Sequence, residues 1–263
     1  MKSEQEVEKL KSIDARLRTK PNIFDPTYIL TKNNLAVFKR FKKLIENENK
    51  VKILDVGCGF KPWALLFDER RFFYIGVDFE TKSSADIIAS AEELPFPTNH
   101  FDALIYSEVL EHVGDLDKAL EEMRRVVKKG GLVFISSPFF FYEHAVPYDF
   151  RRSTRYAYER YFQNEIILLK ASNGIFANPF LMFNLACEVT PLRKLPILSH
   201  LFYSLNNLLA LLTECLSRLI ISLLKFLSPN KTFVEKAVRS IYSFPLGYAL
   251  LLKIDPGWPN EIS

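Results

Sequence analysis

From residue 33 onward the apolar positions follow two alternating periods. The stretch "NNLAVFKRFKKLIENEN" sets Leu35, Phe38, Phe41, Leu44 and Ile45 at helical spacing, with lysines on the other face, and predicts an amphipathic helix. Residues 51–56, "FYIGVD" and "FDALIYSEV" are short apolar runs that predict buried strands, with "WALLFDER" as a short helix after the first. Next, "DLDKALEEMRRVVKKGG" predicts a helix capped by Asp115 and ended at Gly130, feeding the strand "LVFISSP". Strands alternating with helices predict an α/β fold, a mainly parallel sheet with helices on both faces. Residues 1–33 are polar, and Pro21 and Pro26 break any long helix there, so they read as an N-terminal arm.

After residue 176 the pattern changes. In "LPILSHLFYSLNNLLALLTECLSRLIISLLKFLSP" (195–229), Leu201, Leu205, Leu208, Leu212, Leu216, Leu219, Leu223 and Leu227 stack on one helical face. Between 201 and 227 only Glu214, Arg218 and Lys225 carry charge. Such a helix is roughly 40 Å long at about 1.5 Å per residue. His200, Asn206, Asn207 and Glu214 interrupt it, which fits a membrane span poorly. Its leucine face still needs a cover, and three remain open: the protein's own domain, a second copy, or a membrane interface. A lid or membrane-facing element suits a lipid-linked substrate. "FPLGYALLLKI" (244–254) predicts a returning strand. The expected organisation is therefore an arm (1–33), a sheet domain (34–176 plus 241–254) and an apolar helical insertion (177–240).

Composition narrows the partners. With 263 residues, 48% of them hydrophobic, the chain can bury one core plus a modest appendage. A net charge of +4 without long Lys/Arg blocks speaks against nucleic acid. Cys58, Cys187 and Cys215 lack C-x-x-C spacing and neighbouring histidines, which argues against zinc and against a disulfide framework. No metal is expected. The charged opening does not read as a secretory leader, so a cytoplasmic location is expected, with a peripheral place on the inner face of the membrane left open.

The candidate chemistry begins at "VKILDVGCGFKP" (51–62), where an apolar run stops at Asp55 and breaks into Gly57 and Gly59. In open parallel sheets ligands bind beyond the carboxyl ends of the strands, and glycines let the backbone turn tightly against them. The chain lacks G-x-x-x-x-G-K-S/T, and the G-x-G-x-x-G fingerprint fails at its last glycine, where Trp63 or Ala64 stands. A ligand other than a pyrophosphate is favoured, and a dehydrogenase is disfavoured. Cys58 reads as a small residue in a tight turn.

In order and spacing, "LDVGCGFKPW", "YIGVDFE", "AEELPFPTNHFDALIYSEVLEHV" and "RRVVKKGGLVFISSP" resemble the class I S-adenosylmethionine-dependent methyltransferases, particularly the type 11 group, over roughly residues 50–160. The resemblance implies a Rossmann-like seven-stranded methyltransferase sheet with helices on both faces, its last strand antiparallel, and here a helical insertion before that strand. It implies S-adenosyl-L-methionine as cofactor, with Asp55 near its amino group and Gly57, Cys58 and Gly59 beneath its methionyl part. It places Asp78 on the ribose hydroxyls with Phe79 beside it, Ala91 and Glu92 by the adenine, and Ser107 at the methyl-donor end. Two departures stand out: Lys61 replaces a frequent third glycine, and Ser90 stands where an acid is common.

The fourth strand ends "YSEVLEH" rather than D/N-P-P-Y/F, which disfavours methylation of nucleic-acid bases or glutamine. After the fifth strand, His144, Pro147, Tyr148, Asp149, Phe150, Arg152 and Thr154 match an H-x-x-P-Y/F-D-F/Y-x-R-x-T stretch seen in many type 11 enzymes associated with glycan or lipid modification. An imidazole titrating near neutrality suits removal of a hydroxyl proton, so His144 is the candidate base and Asp149 its orienting carboxylate. Asp149 as a helix cap near Ser153, and His144 as a loop bridge, remain open. Tyr148 and Arg152 are substrate-binding candidates. Arg151, Arg152 and Arg155 read either as an anion site or as a solvated helix start, and His112 reads as structural. The expected activity is O-methylation of a glycan, lipid-linked or other small-molecule acceptor, with a non-catalytic S-adenosylmethionine-binding partner protein as the rival.

Overall fold

The computed structural model describes residues 4–46, 50–188, 190–228 and 230–255. Two helices lead the chain, α1 (Glu4–Thr19) and α2 (Tyr28–Ile45). Seven strands follow: β1 (Val51–Val56), β2 (Phe72–Asp78), β3 (Ile87–Ile88), β4 (Phe101–Ser107), β5 (Val127–Pro138), β6 (Ile166–Ala171) and β7 (Gly247–Lys253). Between β4 and β7 lie α3 (Leu116–Val126), α4 (Arg155–Phe162), α5 (Asn178–Glu188), α6 (Pro196–Leu227) and α7 (Lys231–Ile241). The sheet order is β3-β2-β1-β4-β5-β7-β6. β1 to β5 pair in parallel, while β7 runs antiparallel between β5 and β6, with Leu132 opposite Lys253 and Pro138 opposite Gly247. This is the Rossmann-like seven-stranded sheet with a helical insertion, α5 to α7, before its last strand.

The central strands read as unbroken apolar runs because both faces are covered. One face packs Leu54, Leu104, Val133, Leu250 and Met123 of α3 into one buried cluster. The other packs Ile53, Ile105, Phe134 and Leu251 against α2, which contributes Leu35, Phe38, Phe41 and Ile45. Of the predicted α2 apolar set only Leu44 stays exposed. The end of that predicted segment, Asn47 to Asn49, lies outside the described residues. At the centre of this face Phe38 stacks on Trp63 with ring centroids 4.0 Å apart, and Phe134 meets Phe38 edge-on at 5.2 Å.

Three predicted elements differ. "WALLFDER" forms only a 3₁₀ turn, Ala64–Leu66. Trp63 and Phe67 are both anchored in the α2-facing core, Phe67 is already extended, and Asp68 folds the chain back with its carbonyl accepting from Arg71 N. Too few residues remain between those anchors to propagate a helix. Second, α3 is capped by Asp115 as expected but stops at Val126, and "VKKGG" opens β5 instead of ending the helix. Gly130 at φ +78° lets that segment turn, and its N–H donates to Ile254 O. Third, α4 is capped by Thr154, whose Oγ1 accepts from Ala157 N, so Asp149 is not its cap.

The aromatic packing gives a measurable expectation. Phe38→Ala should lower the unfolding free energy by about 3–5 kcal/mol in urea titration, because the cavity opens among fixed rings. A loss below about 1 kcal/mol would show that the α2 face does not carry the sheet.

Candidate active site

Beyond the carboxyl ends of β1, β2 and β4 the chain assembles two acids and a glycine turn. Gly57, Gly59 and Lys61 all adopt left-handed φ, at +69°, +52° and +55°. A Cβ on Gly57 would sit 2.4 Å from Val109 Cγ2, so both space and backbone demand glycine. Lys61 keeps the left-handed backbone of the glycine that it replaces, and its Nζ pairs with Asp86 Oδ1 at 2.5 Å.

Four N–H groups of the turn are engaged inside the protein. Gly57 N and Cys58 N donate to Val77 O at 2.8 and 3.0 Å, Gly59 N to Asp78 Oδ2 at 2.8 Å, and Lys61 N to Cys58 O at 2.8 Å. A phosphate cradle needs such donors free, so this turn is not built for one. Cys58 is buried with its thiol pushed up by that burial, consistent with a packing role.

Asp55 lies at the β1 tip, paired in register with Gly76 and Ile105, and is 1% exposed. Its Oδ2 accepts a hydrogen bond from Tyr74 Oη. Burial pushes its carboxyl up to about 7, against that hydrogen bond and the nearby Arg18, which pull it down. Asp78 ends β2, and each of its oxygens already holds one backbone N–H, Oδ2 that of Gly59 and Oδ1 that of Glu80 at 2.9 Å. A carboxylate oxygen has a second acceptor direction, so Asp78 is pre-aimed and can still receive a pair of hydroxyls. Phe79 beside it is exposed and meets the ring of Tyr148 edge-on at 5.8 Å.

The remaining expected cofactor residues divide. Glu92 Oε1 accepts from Gly114 N at 2.9 Å and Asp115 N at 3.0 Å, tying the loop after β3 to the start of α3; Ala91 sits beside it, half-buried. Ser90 turns inward locally, accepting from Glu92 N. Ser107, at the β4 tip, shares a 3.1 Å hydrogen bond with Ser136 on β5 and accepts from Arg18 Nη1 at 3.1 Å.

Arg18 is the residue that sequence reasoning passed over. It arrives from α1, in a segment read only as an arm. Burial works against its charge, but Asp14, Glu108 and Asp55 hold it cationic. A guanidinium between Ser107 and Asp55 offers fixed donors to a carboxylate, while Asp55 suits an ammonium, and together they match an amino-acid zwitterion.

The segment after β5 gathers a second group. His144 N donates to Asp149 Oδ2 at 3.0 Å, and His144 Nδ1 lies 3.4 Å from the same oxygen. Arg152, hydrogen-bonded to Asp149, holds its carboxyl far below the usual range, so Asp149 orients and does not accept protons. Arg152 is itself occupied by Asp149 and by the carbonyls of Arg151 and Tyr142, which makes it a positioning residue. Arg151 donates to the carbonyls of Leu110, Val113 and Gly114, and Arg155 pairs with Glu159, so the three arginines do not form the open anion site allowed by the sequence. Tyr148 is half-exposed, and its carbonyl accepts from His112 Nδ1 at 2.6 Å. His112 and His144 meet edge-on at 4.8 Å beside the fully buried Glu111. Glu111 Oε2 accepts from Ser137 Oγ at 3.3 Å, and Ser137 adjoins the Ser136 that bonds Ser107, so this group borders the first.

Residues 54–135 match the family described as methyltransferase domain, type 11. The chain is 34% identical over 122 residues (42% of this chain, 53% of the relative) to an uncharacterized protein of Methanocaldococcus jannaschii. It is also 34% identical over 120 residues (46% and 44%) to the ubiquinone/menaquinone biosynthesis C-methyltransferase UbiE of Coxiella burnetii. It thus spans about half the length of the curated relatives it matches. The solved cyclase SpnF superposes with a TM-score of 0.51 over 84% of this chain and 81% of its own at 16% identity, a likeness of fold alone.

The buried acid sets a pH dependence. Below about 7 Asp55 is protonated in the free protein, and a cationic amino group favours its carboxylate. Affinity for S-adenosylmethionine should therefore fall about tenfold per unit as pH drops below about 7, and should fall again as the ligand's own amino group loses its proton near about 8. Tyr74, Arg18, Asp78 and Lys61 face the same carboxylate. Calorimetry at pH 6 and 8 in two buffers should show proton release at pH 6 that Asp55→Asn abolishes; equal release in that variant would remove Asp55 as the partner.

Proposed function

We propose that this chain, a class I S-adenosylmethionine-dependent methyltransferase of the type 11 group, methylates an oxygen of a glycan or lipid-linked acceptor presented at a membrane surface. The acceptor hydroxyl enters beside His144, held by Asp149, with Tyr148 at the entrance, and the Glu111–His112–His144 group activates it. The oxygen forms a bond to the methyl carbon as the carbon–sulfur bond breaks and its electron pair returns to sulfur, while the hydroxyl proton leaves to the solvent. A relative's place in ubiquinone/menaquinone biosynthesis, by its name, fits an apolar acceptor.

One observation carries the membrane part: α6 is built inside out. Its buried positions are Ser199, Tyr203, Asn206, Asn207, Ala210, Ser217 and Ile221, mostly polar or small. The polar ones are matched: Asn206 Nδ2 donates to Asn184 Oδ1 at 3.0 Å, and Asn207 Nδ2 to the carbonyls of Ile23 and Asp25 at 2.8 and 2.9 Å. All eight leucines of the predicted stripe face outward, between 48% and 72% exposed. The protein's own core therefore does not cover them. α6 is long and apolar enough to cross a membrane by length and composition. Its polar face is bonded to the rest of the protein, however, which favours lying in the interface with the leucines in the acyl boundary. Exposed Arg193 and Lys194 before the helix, and Lys225, Lys231, Lys236 and Arg239 at its far end, add attraction to anionic headgroups. The free state of Cys58, Cys187 and Cys215 supports the cytoplasmic face.

Flotation with vesicles of mixed neutral and anionic lipid tests this. Wild type should co-float, and Leu208→Glu/Leu212→Glu/Leu216→Glu should remain below. Equal flotation would overturn the membrane assignment, as would a wild-type dimer that this variant dissociates. With methyl-labelled cofactor, label should enter the lipid or lipid-linked fraction of a membrane extract; label confined to water-soluble species would overturn the acceptor class.

A further inference from the structure

We infer that Glu111, His112 and His144 form a binding site for a first-row divalent metal ion, two imidazole nitrogens and one carboxylate oxygen at the mouth of the acceptor side. The three ligand atoms lie within 4.8 Å of one another, with Glu111 Oε1 3.6 Å from His112 Nε2 and 4.0 Å from His144 Nε2. Around an ion with bonds of about 2.0–2.2 Å, ligand atoms stand about 3–4.3 Å apart, so the cluster closes with small side-chain adjustments. The separations are too long for hydrogen bonds among the three.

The second observation is Glu111 Oε1 itself. Glu111 is 0% exposed, and among the described residues this oxygen has no hydrogen-bond partner, although its twin is held by Ser137. A buried carboxylate oxygen left unmatched is costly, and a cation supplies what is missing. Third, both imidazoles are oriented from behind. A carbonyl can only accept, so His112 Nδ1 donates to Tyr148 O at 2.6 Å and His144 Nδ1 to Tyr142 O at 3.2 Å. That leaves each Nε2 unprotonated and close to the Glu111 oxygen, with Asp149 beside His144 Nδ1, as metal-binding histidines are held by outer-shell partners.

The charges suit a cation. Among the described residues, Glu111, Glu108 and Asp149 bring carboxylates to the cluster, and the nearby Arg152 guanidinium is bonded to Asp149. Nitrogen-rich donors select zinc, cobalt, iron or manganese over calcium or magnesium. Three protein ligands leave positions for the acceptor oxygen, whose proton a bound cation makes easier to lose to solvent. That catalytic consequence rests on the methyltransferase reading above; the binding does not.

The test uses the full chain stripped with chelator and dialysed against Co²⁺ alone. One cobalt per chain should be retained, with visible absorption bands typical of nitrogen and oxygen ligation. His112→Ala and His144→Ala should each lower the affinity at least tenfold while leaving S-adenosylmethionine binding unchanged, and Asp149→Asn should lower it about 10–100-fold. No retained cobalt, or bands that persist in His144→Ala, would overturn the site. Stoichiometric cobalt with no methyl transfer would leave the site standing and count against the function; methyl transfer in chelator without cobalt binding would do the reverse.

Discussion

The crevice depends on how the glycine turn is tied to the second strand. Val77 O takes two N–H groups from the turn, and the Asp78 carboxylate takes a third. These bonds fix the turn under the sheet edge, aim Asp78 across it, and leave Asp55 to face a desolvated pocket from the neighbouring strand. Left-handed backbone at Gly57, Gly59 and Lys61 is the geometric condition for that knot. It also explains how the chain departs from the usual glycine pattern without losing the turn: Lys61 accepts the strain of a left-handed conformation and is held there by Asp86, whose other oxygen receives Gly76 N at 2.7 Å.

Much of this was legible because it is written locally. The β1 tip, the Asp78 tip and the α3 cap are each encoded within a few residues, by an apolar run that ends in an acid or by an Asp preceding a helical period. What stayed hidden depends on residues far apart in sequence. Arg18 reaches Ser107 across 89 positions, and nothing in "RLRTK" marks one arginine over the next. Tyr74 reads as a strand residue until its hydroxyl is seen on Asp55. Glu111 and His112 sit in a stretch read for its resemblance alone, and only the folding of the β5–α4 segment over them shows that His144 completes a cluster. Where local signals misled, tertiary anchoring outweighed them: Trp63 and Phe67 are held in the core, so the helix expected between them reduces to one 3₁₀ turn.

The leucine stripe shows the opposite limit. Its period was evident from sequence, but periodicity gives a face and not its direction. The direction is set by Asn184, Asn206 and Asn207, which bond one another and the linker between α1 and α2. Turning the leucines inward would bury no fewer groups, but it would break these bonds and leave several amides unmatched in an apolar interior. Polar matching on one side therefore keeps the apolar side outward.

The same linker joins the two halves of the molecule. Asn207 of α6 holds the carbonyls of Ile23 and Asp25; the Asp25 carboxylate pairs with Arg16 Nη2 at 2.7 Å; and two residues along α1, Arg18 reaches Ser107 at the crevice. Each link is a hydrogen bond or ion pair between neighbours, so a continuous run of polar contacts joins α6 to α1. Because Asp14, Glu108 and Asp55 all attract the Arg18 guanidinium, its withdrawal would forfeit those attractions, and this favours keeping α1 docked.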